Sequence, residues 1–316
     1  MDILLYAAQL IAGFLLLTHG ANWLITGGST LALRIGISTT VVGLTVMAFG
    51  TSMPELTVNV SSALSGNTGI ALGNILGSNI ANIALILGIT AMISPMAVAE
   101  DFLGRDFLWM TGAAVLLFVA MLDGTLSFPE GAVFLALGIG YTWHLIAGSR
   151  KEERQDPGEA HGKGRGLLIN GGLVVLGLVA LVAGGKLCVD SAVSFARFFG
   201  MSERVIGLTV VAVGTSMPEF AASLAAALKG RAEMAIGNII GSNIFNILII
   251  LGITAMVHPI HVAVDARYFV DMSVMLGVTL LLWPLMRTGM TLVRLEGALL
   301  FSIYSGYIAY LLLLAD

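Results

Sequence analysis

Charge is the scarcest commodity in this sequence. Of its 316 residues only 11% are Asp, Glu, Lys or Arg, where soluble domains run near about a quarter. That shortage excludes an ordinary water-facing surface. Proline is also rare, at 7 residues, so long helices are seldom interrupted. The single cysteine, Cys188, has no partner within the chain, so cysteine usage is silent on redox compartment. A net charge of −4 excludes the basic surface that nucleic-acid binding requires. What is abundant is apolar mass: 57% hydrophobic residues, 39 glycines and a mean hydropathy of +0.96. Glycine at this density suits helices whose backbones approach closely in lipid.

Apolar runs long enough to cross a hydrocarbon core of about 30 Å recur along the chain. Ten spans are expected, near 3–33, 38–65, 69–94, 104–122, 127–147, 166–198, 203–228, 233–257, 266–285 and 294–314. The first run continues well past a signal-peptide core and has no Lys or Arg before it. It reads as a retained span, not a cleaved leader. The one hydrophilic connection, Arg150 to Arg165, contains Pro157 and several glycines and reads as a linker. The chain thus divides into residues 1–149, the linker 150–165 and residues 166–316.

The two halves repeat each other. Residues 41–55, VVGLTVMAFGTSMPE, match 205–219, VIGLTVVAVGTSMPE, at 12 of 15 positions. Residues 71–93 match 235–257 at 17 of 23 positions. Both matches share one offset, 164 residues, so they belong to one duplicated module. The repeated blocks occupy about 38–94 and 203–257. Five spans per module is an odd number, so the second copy enters from the opposite side and the repeats are inverted. Lys and Arg placement agrees with this reading. With the linker cytoplasmic and both termini outside, eleven basic residues fall inside and only Arg197, Arg204 and Arg267 outside.

Each copy carries a glutamate deep in a span, Glu55 and Glu219. A carboxylate at mid-membrane costs roughly 2.5–3.5 kcal/mol on insertion scales, so it needs a partner or a wet cavity. Neither motif block supplies a Lys or Arg. The missing positive charge is most simply a bound cation. Pro54 and Pro218, just before each Glu, lack an N–H and should break their helices. Gly50 and Gly214 should let the backbone leave helical angles. Carbonyls freed by such breaks, with the carboxylates, are the oxygen ligands that hard cations take. Interrupted helices at equivalent positions of two halves point to a transport site. The next span of each module adds a polar stripe at i, i+4, i+8: Asn74, Ser78 and Asn82, then Asn238, Ser242 and Asn246. Ser78, Asn82, Ser242 and Asn246 read as ligands or their neighbours, and Asn74 and Asn238 as structural support. Gly73 and Gly77, and Gly237 and Gly241, should pack these helices tightly on the broken ones.

The remaining polar groups read as structural. Lys186 and Asp190, four residues apart, should pair. His258 and His261 make a poor zinc signal in an external loop. His19 reads as packed or cavity-facing, and Glu100, Asp101 and Asp106 as a solvated face. No Ser/His/Asp or His-rich constellation supports an enzyme.

These residues resemble the sodium/calcium exchanger branch of the cation/Ca²⁺ antiporter superfamily, in the motif G-T-S-x-P-E followed by G-N-x-x-G-S-N, present twice. The resemblance implies an all-α membrane fold and Ca²⁺/Na⁺ exchange by alternating access, with no cofactor and no obligate protein partner. It implies a central Ca²⁺ site formed by the carboxylates of Glu55 and Glu219 and the carbonyls of Thr51 and Thr215. It implies an outer Na⁺ site at Ala212, Thr215, Ser216, Glu219 and Ser242. An inner one would use Ala48, Thr51, Ser52, Glu55 and Ser78, and the first and sixth spans would slide to switch access. Some prokaryotic relatives carry Asp where this chain has Asn246, so this site holds two acidic groups rather than three. The expected role is export of cytoplasmic Ca²⁺ across the cell inner membrane. A proton- or K⁺-coupled antiporter on the same scaffold is the alternative, with a passive cation channel behind it.

Overall fold

The computed structural model describes residues 2–35, 37–155, 166–199 and 212–313. Helices dominate. They are α1 (Asp2–Ile35), α2 (Thr39–Thr51), α3 (Met53–Leu64), α4 (Thr68–Ile93), α5 (Phe102–Ala120) and α6 (Phe128–Gln155). After the expected linker come α7 (Leu167–Phe198), α8 (Ala212–Thr215), α9 (Met217–Leu228), α10 (Ala232–Val257), α11 (Ala266–Arg287) and α12 (Arg294–Leu313). Among the described residues, eight helices are long and apolar enough to cross a membrane, and the pair α2–α3, bent by 44°, makes a ninth. The chain is a multi-pass membrane protein. The expected span 203–228 is described only from 212 onward, as α8 and α9. Helix α6, the fifth expected span, runs on to Gln155, into the expected linker. Lys151, Glu152, Glu153 and Arg154 are good helix formers, so nothing stops it at the membrane edge. Residues 156–165, the rest of the linker, lie outside the described part of the chain.

Helices α4 and α10 form the centre. Of the apolar stretch of each, 78% and 83% is buried, against 17% for α1 and α12 on the periphery. The sequence accounts for this: α4 and α10 are apolar nearly all round apart from their Asn and Ser residues, the pattern of a helix enclosed by others.

Close contacts join the two halves reciprocally. Helices α1 and α7 pack along their length over a glycine seam. A side chain at Gly13 would lie 2.9 Å from the Gly184 carbonyl oxygen, and one at Gly20 would lie 2.9 Å from that of Gly177. Residues 13 and 177, and 20 and 184, are related by the offset of 164 read from the motif blocks. Gly88 of α4 abuts Gly297 of α12 in the same manner, as Gly131 of α6 abuts Gly252 of α10. The short strands β1 (Met96–Ala97), β2 (Thr125–Leu126), β3 (Ile260–His261) and β4 (Thr291–Leu292) repeat the theme. Met96 pairs with Leu292 and Leu126 with Ile260, both antiparallel, so each half lends a strand to the other.

Some polar side chains depart from the expected picture. Asp106 is fully buried, not solvated: it accepts bonds from Arg105 Nε at 3.0 Å and from the Tyr141 hydroxyl at 3.4 Å. The arrangement recurs where Tyr307 donates to Asp271 at 2.8 Å. A buried carboxylate needs such partners, and the neighbouring arginine supplies charge as well. Lys186 and Asp190, expected to pair, are both exposed and form no ion pair with each other. His19 is neither packed nor cavity-facing: it is exposed on α1, stacked on Trp23 at 6.0 Å. His258 and His261 are engaged separately, the first with the Pro259 carbonyl and the second with Thr125.

The glycine contacts give a direct test. Gly131→Val would place a Cβ 2.8 Å from the Gly252 oxygen and should cost about 1–3 kcal/mol by overpacking. Thermal unfolding in detergent should show a lowered Tm, whereas Gly140→Val, with no atom within 4 Å to meet, should leave it unchanged.

Candidate cation-binding site

Two helix breaks build the centre of the molecule. Between α2 and α3 the chain leaves helical angles at Ser52 (φ −83°, ψ 9°), and between α8 and α9 at Ser216 (φ −88°, ψ 10°). Pro54 and Pro218 occupy the second position of the following helices, where a missing N–H is tolerated. As expected, each proline denies a hydrogen bond to the carbonyl four residues earlier. The role expected of Gly50 and Gly214 needs correction. Both stand in helical segments, and neither has a positive φ. They are glycine because a side chain at Gly50 would run into Leu178, and one at Gly214 into Val189, both on α7.

The breaks bring Ser52, Glu55, Ser216 and Glu219 together. Both glutamates are wholly inaccessible, at 0% exposure. Ser52 Oγ donates to Glu219 Oε1 at 2.9 Å, and Ser216 Oγ donates to Glu55 Oε1 at 3.3 Å. Each serine therefore serves the glutamate of the other repeat. No Lys, Arg or His forms an ion pair with either carboxylate among the described residues.

Helices α4 and α10 close the site. In place of plain α-helix, Ala81–Leu87 and Phe245–Leu251 are wound as π-helix, which holds Asn82 and Asn246 near their starts. Such turns are rare in proteins and concentrate at functional sites. Asn82 Nδ2 donates to Asn243 Oδ1 at 3.0 Å. Asn246 Nδ2 donates to Ser78 Oγ at 3.0 Å and to Asn79 Oδ1 at 3.2 Å. Both amide nitrogens are thus occupied, which turns both amide oxygens the other way.

Those oxygens have no partner. Glu55 Oε2, Glu219 Oε2, Asn82 Oδ1, Asn246 Oδ1 and Ser242 Oγ are all buried without a hydrogen-bond donor. An orphaned buried acceptor costs about 1–3 kcal/mol, and more if charged. Five oxygens, two of them carboxylate, form a set that a hard cation would satisfy.

Other expected members take varied places. Thr51 is buried and its hydroxyl donates to the Met47 carbonyl at 3.0 Å and to Asn238 Oδ1 at 3.3 Å. Ala48 and Thr215 are buried, and the side chain of Ala212 lies outside the described residues. Asn74 donates to Asn59 at 2.7 Å and Asn238 to Ser223 at 2.9 Å, tying each stripe helix to its broken neighbour, as expected of structural support. Gly237 and Gly241 pack against Thr40, Leu44 and Ala48 of α2. The residues at the same offset from these, which would face Gly73 and Gly77, are 204–212 and lie largely outside the described part.

Sequence reasoning overlooked Asn79 and Asn243, which orient Asn246 and Asn82. The signal was available: both belong to the duplicated G-S-N triplets, one residue off the i, i+4 stripe. A π-turn makes them neighbours of the stripe, and no sequence pattern announces it.

Comparison with known proteins places this geometry. The sequence profile of the sodium/calcium exchanger protein family matches residues 5–147 and 169–313. The sodium/calcium exchanger MaX1 of Methanosarcina acetivorans is 34% identical, over 96% of this chain and 97% of its own. The inner membrane protein YrbG of Escherichia coli K12 is 37% identical, over 88% of each. The solved structure of the sodium–calcium exchanger NCX_Mj, soaked with zero Na⁺ and Ca²⁺, superposes with a TM-score of 0.85 at 32% identity, covering 98% of this chain and 99% of that one. The duplicated glutamate motif, its helix breaks and the match along nearly the whole length agree: this chain belongs to the sodium/calcium exchanger family, of prokaryotic type.

Proposed function

We propose that the protein is a secondary antiporter that exports cytoplasmic Ca²⁺ in exchange for Na⁺ by alternating access. The observation that carries this reading is the set of orphaned buried oxygens that includes one from each of two carboxylates with no cationic partner among the described residues. Two negative charges match one Ca²⁺ or two Na⁺. Competition for the same glutamates couples the ions, because the site holds one set or the other. In this reading Glu55 and Glu219, with the carbonyls of Thr51 and Thr215, hold Ca²⁺. Sodium is held on the outer side by Ala212, Thr215, Ser216, Glu219 and Ser242, and on the inner side by Ala48, Thr51, Ser52, Glu55 and Ser78. Asn82 and Asn246 complete the centre.

Ten spans in two inverted five-helix repeats are the architecture that this mechanism wants. The reciprocal contacts of Gly13 with Gly184 and Gly20 with Gly177, and of the four short strands, support it. So does the gap in the family match at 148–168, around the linker. Everting an inverted repeat exchanges the environments of its halves, which yields two access states of similar energy. The basic residues support a cytoplasmic linker and outward termini, in the cell inner membrane.

Glu55→Gln and Glu219→Gln should each abolish Na⁺-gradient-driven ⁴⁵Ca²⁺ uptake into proteoliposomes; retained exchange in both sinks the assignment. Imposing Na⁺, K⁺ and pH gradients separately decides the coupling ion, and the expected driver is Na⁺. A flux that follows only the pH gradient would move the protein to a proton-coupled exchanger. Asn82→Leu and Asn246→Leu should raise the KM for Ca²⁺ about ten-fold or more, the loss of one oxygen that meets a charge. Concentration-dependent uptake rates measure it.

A further inference from the structure

A cavity of about 320 Å³ lies between α3 and α7 and reaches the site from one side. Pro54 and Thr57 line it on α3, Lys186 and Asp190 on α7, and Thr215 and Pro218 at the second helix break. At the equivalent place α1 packs on α9. A cation travelling through it to Thr215 passes Asp190 and Lys186, the only charged side chains in the lining. The two stand one helical turn apart, both exposed, and form no ion pair with each other. Their charges therefore act on the cavity individually. In the topology proposed above, the Phe198 end of α7 faces outward, which puts Asp190 one helical turn nearer the mouth than Lys186. At the positions 164 residues earlier stand Asn22 and Thr26, both neutral. The charges belong to one access route only.

We propose that Asp190 and Lys186 are specificity-determining residues that sort cations by valence on this route. The inference rests on the antiporter reading above. The energy of an ion in the field of a fixed charge is proportional to the ion's own charge. Whatever factor Lys186 imposes on the passage of Na⁺, it imposes the square of that factor on Ca²⁺. Asp190, met first, draws divalent cations in by the same law. Lys186, met next, opposes their entry by the same law, and the balance of the two charges sets the ratio at which the two ions pass. A neutral mouth, such as Asn22 and Thr26 would form, makes no such distinction.

The test is uptake and exchange in proteoliposomes of the full chain, with Na⁺ and Ca²⁺ as the probes, at low ionic strength. Lys186→Met should raise kcat/KM about two-fold for Na⁺ and about four-fold for Ca²⁺ when the ion is presented at the cavity side. Asp190→Asn should lower them in the same squared ratio. Lys186→Arg, which keeps the charge, should retain the wild-type ratio between the ions. Raising the salt to about 0.5 M should erase both effects, because screening then acts within a few ångströms. Equal factors for the two ions, effects that survive high salt, or changes confined to kcat would overturn the proposal. Exchange by the wild type with such a result overturns this inference alone; no Na⁺-driven Ca²⁺ flux in the wild type overturns the antiporter reading with it.

Discussion

Two carboxylates buried in a membrane protein with no cationic partner are the constraint from which the rest of this structure follows. Neither Glu55 nor Glu219 has any exposure, and each keeps one oxygen without a donor. A charge so placed is costly unless something neutralises it. Everything nearby is arranged to present further oxygen to the same region. The helix breaks at Ser52 and Ser216 aim two hydroxyls across the repeat boundary, and the π-turns carry Asn82 and Asn246 inward. The hydrogen bonds to Asn243, Ser78 and Asn79 engage the amide nitrogens, which fixes the orientation of the oxygens. The site is assembled as an absence of donors.

Its construction is shared between the halves to an unusual degree. Ser52 serves Glu219 while Ser216 serves Glu55, so neither half contains a finished site. The same exchange appears in the scaffold, where β1 pairs with β4 and β2 with β3. Glycines let the central helices reach partners from the opposite half at backbone contact distance. Asp106 with Tyr141, and Asp271 with Tyr307, tie α5 to α6 and α11 to α12 outside the duplicated motif blocks.

Much of this was legible in the residues. Membrane solvent, helix positions, the duplication and the two glutamates follow from apolar run length and from the spacing of Glu55 and Glu219. Those are one-dimensional signals, carried by chain order alone. What escaped is three-dimensional. Lys186 and Asp190 have helical pairing geometry, yet they line a cavity without forming an ion pair. Asp106 looks like a member of an acidic surface cluster, yet the turn at Phe102–Asp106 is π-helical and rotates it inward. Gly50 was legible as backbone freedom and is instead room for Leu178, a neighbour about 130 positions away in the chain. Asn79 and Asn243 lie one position off the stripe, and only the widened turn after them brings them to it.

The interlocking of the halves also sets a timetable. Gly88 of α4 rests against Gly297 of α12, a helix of the other half that is made later. The centre of the first half is therefore made early and completed late. Until α12 is made, α4 lacks the backbone against which Gly88 packs in the finished protein. Contacts between segments so distant in sequence form slowly. A helix of the second half thus completes the packing of one in the first, and damage to α12 should reach the centre of the molecule as well as the rim.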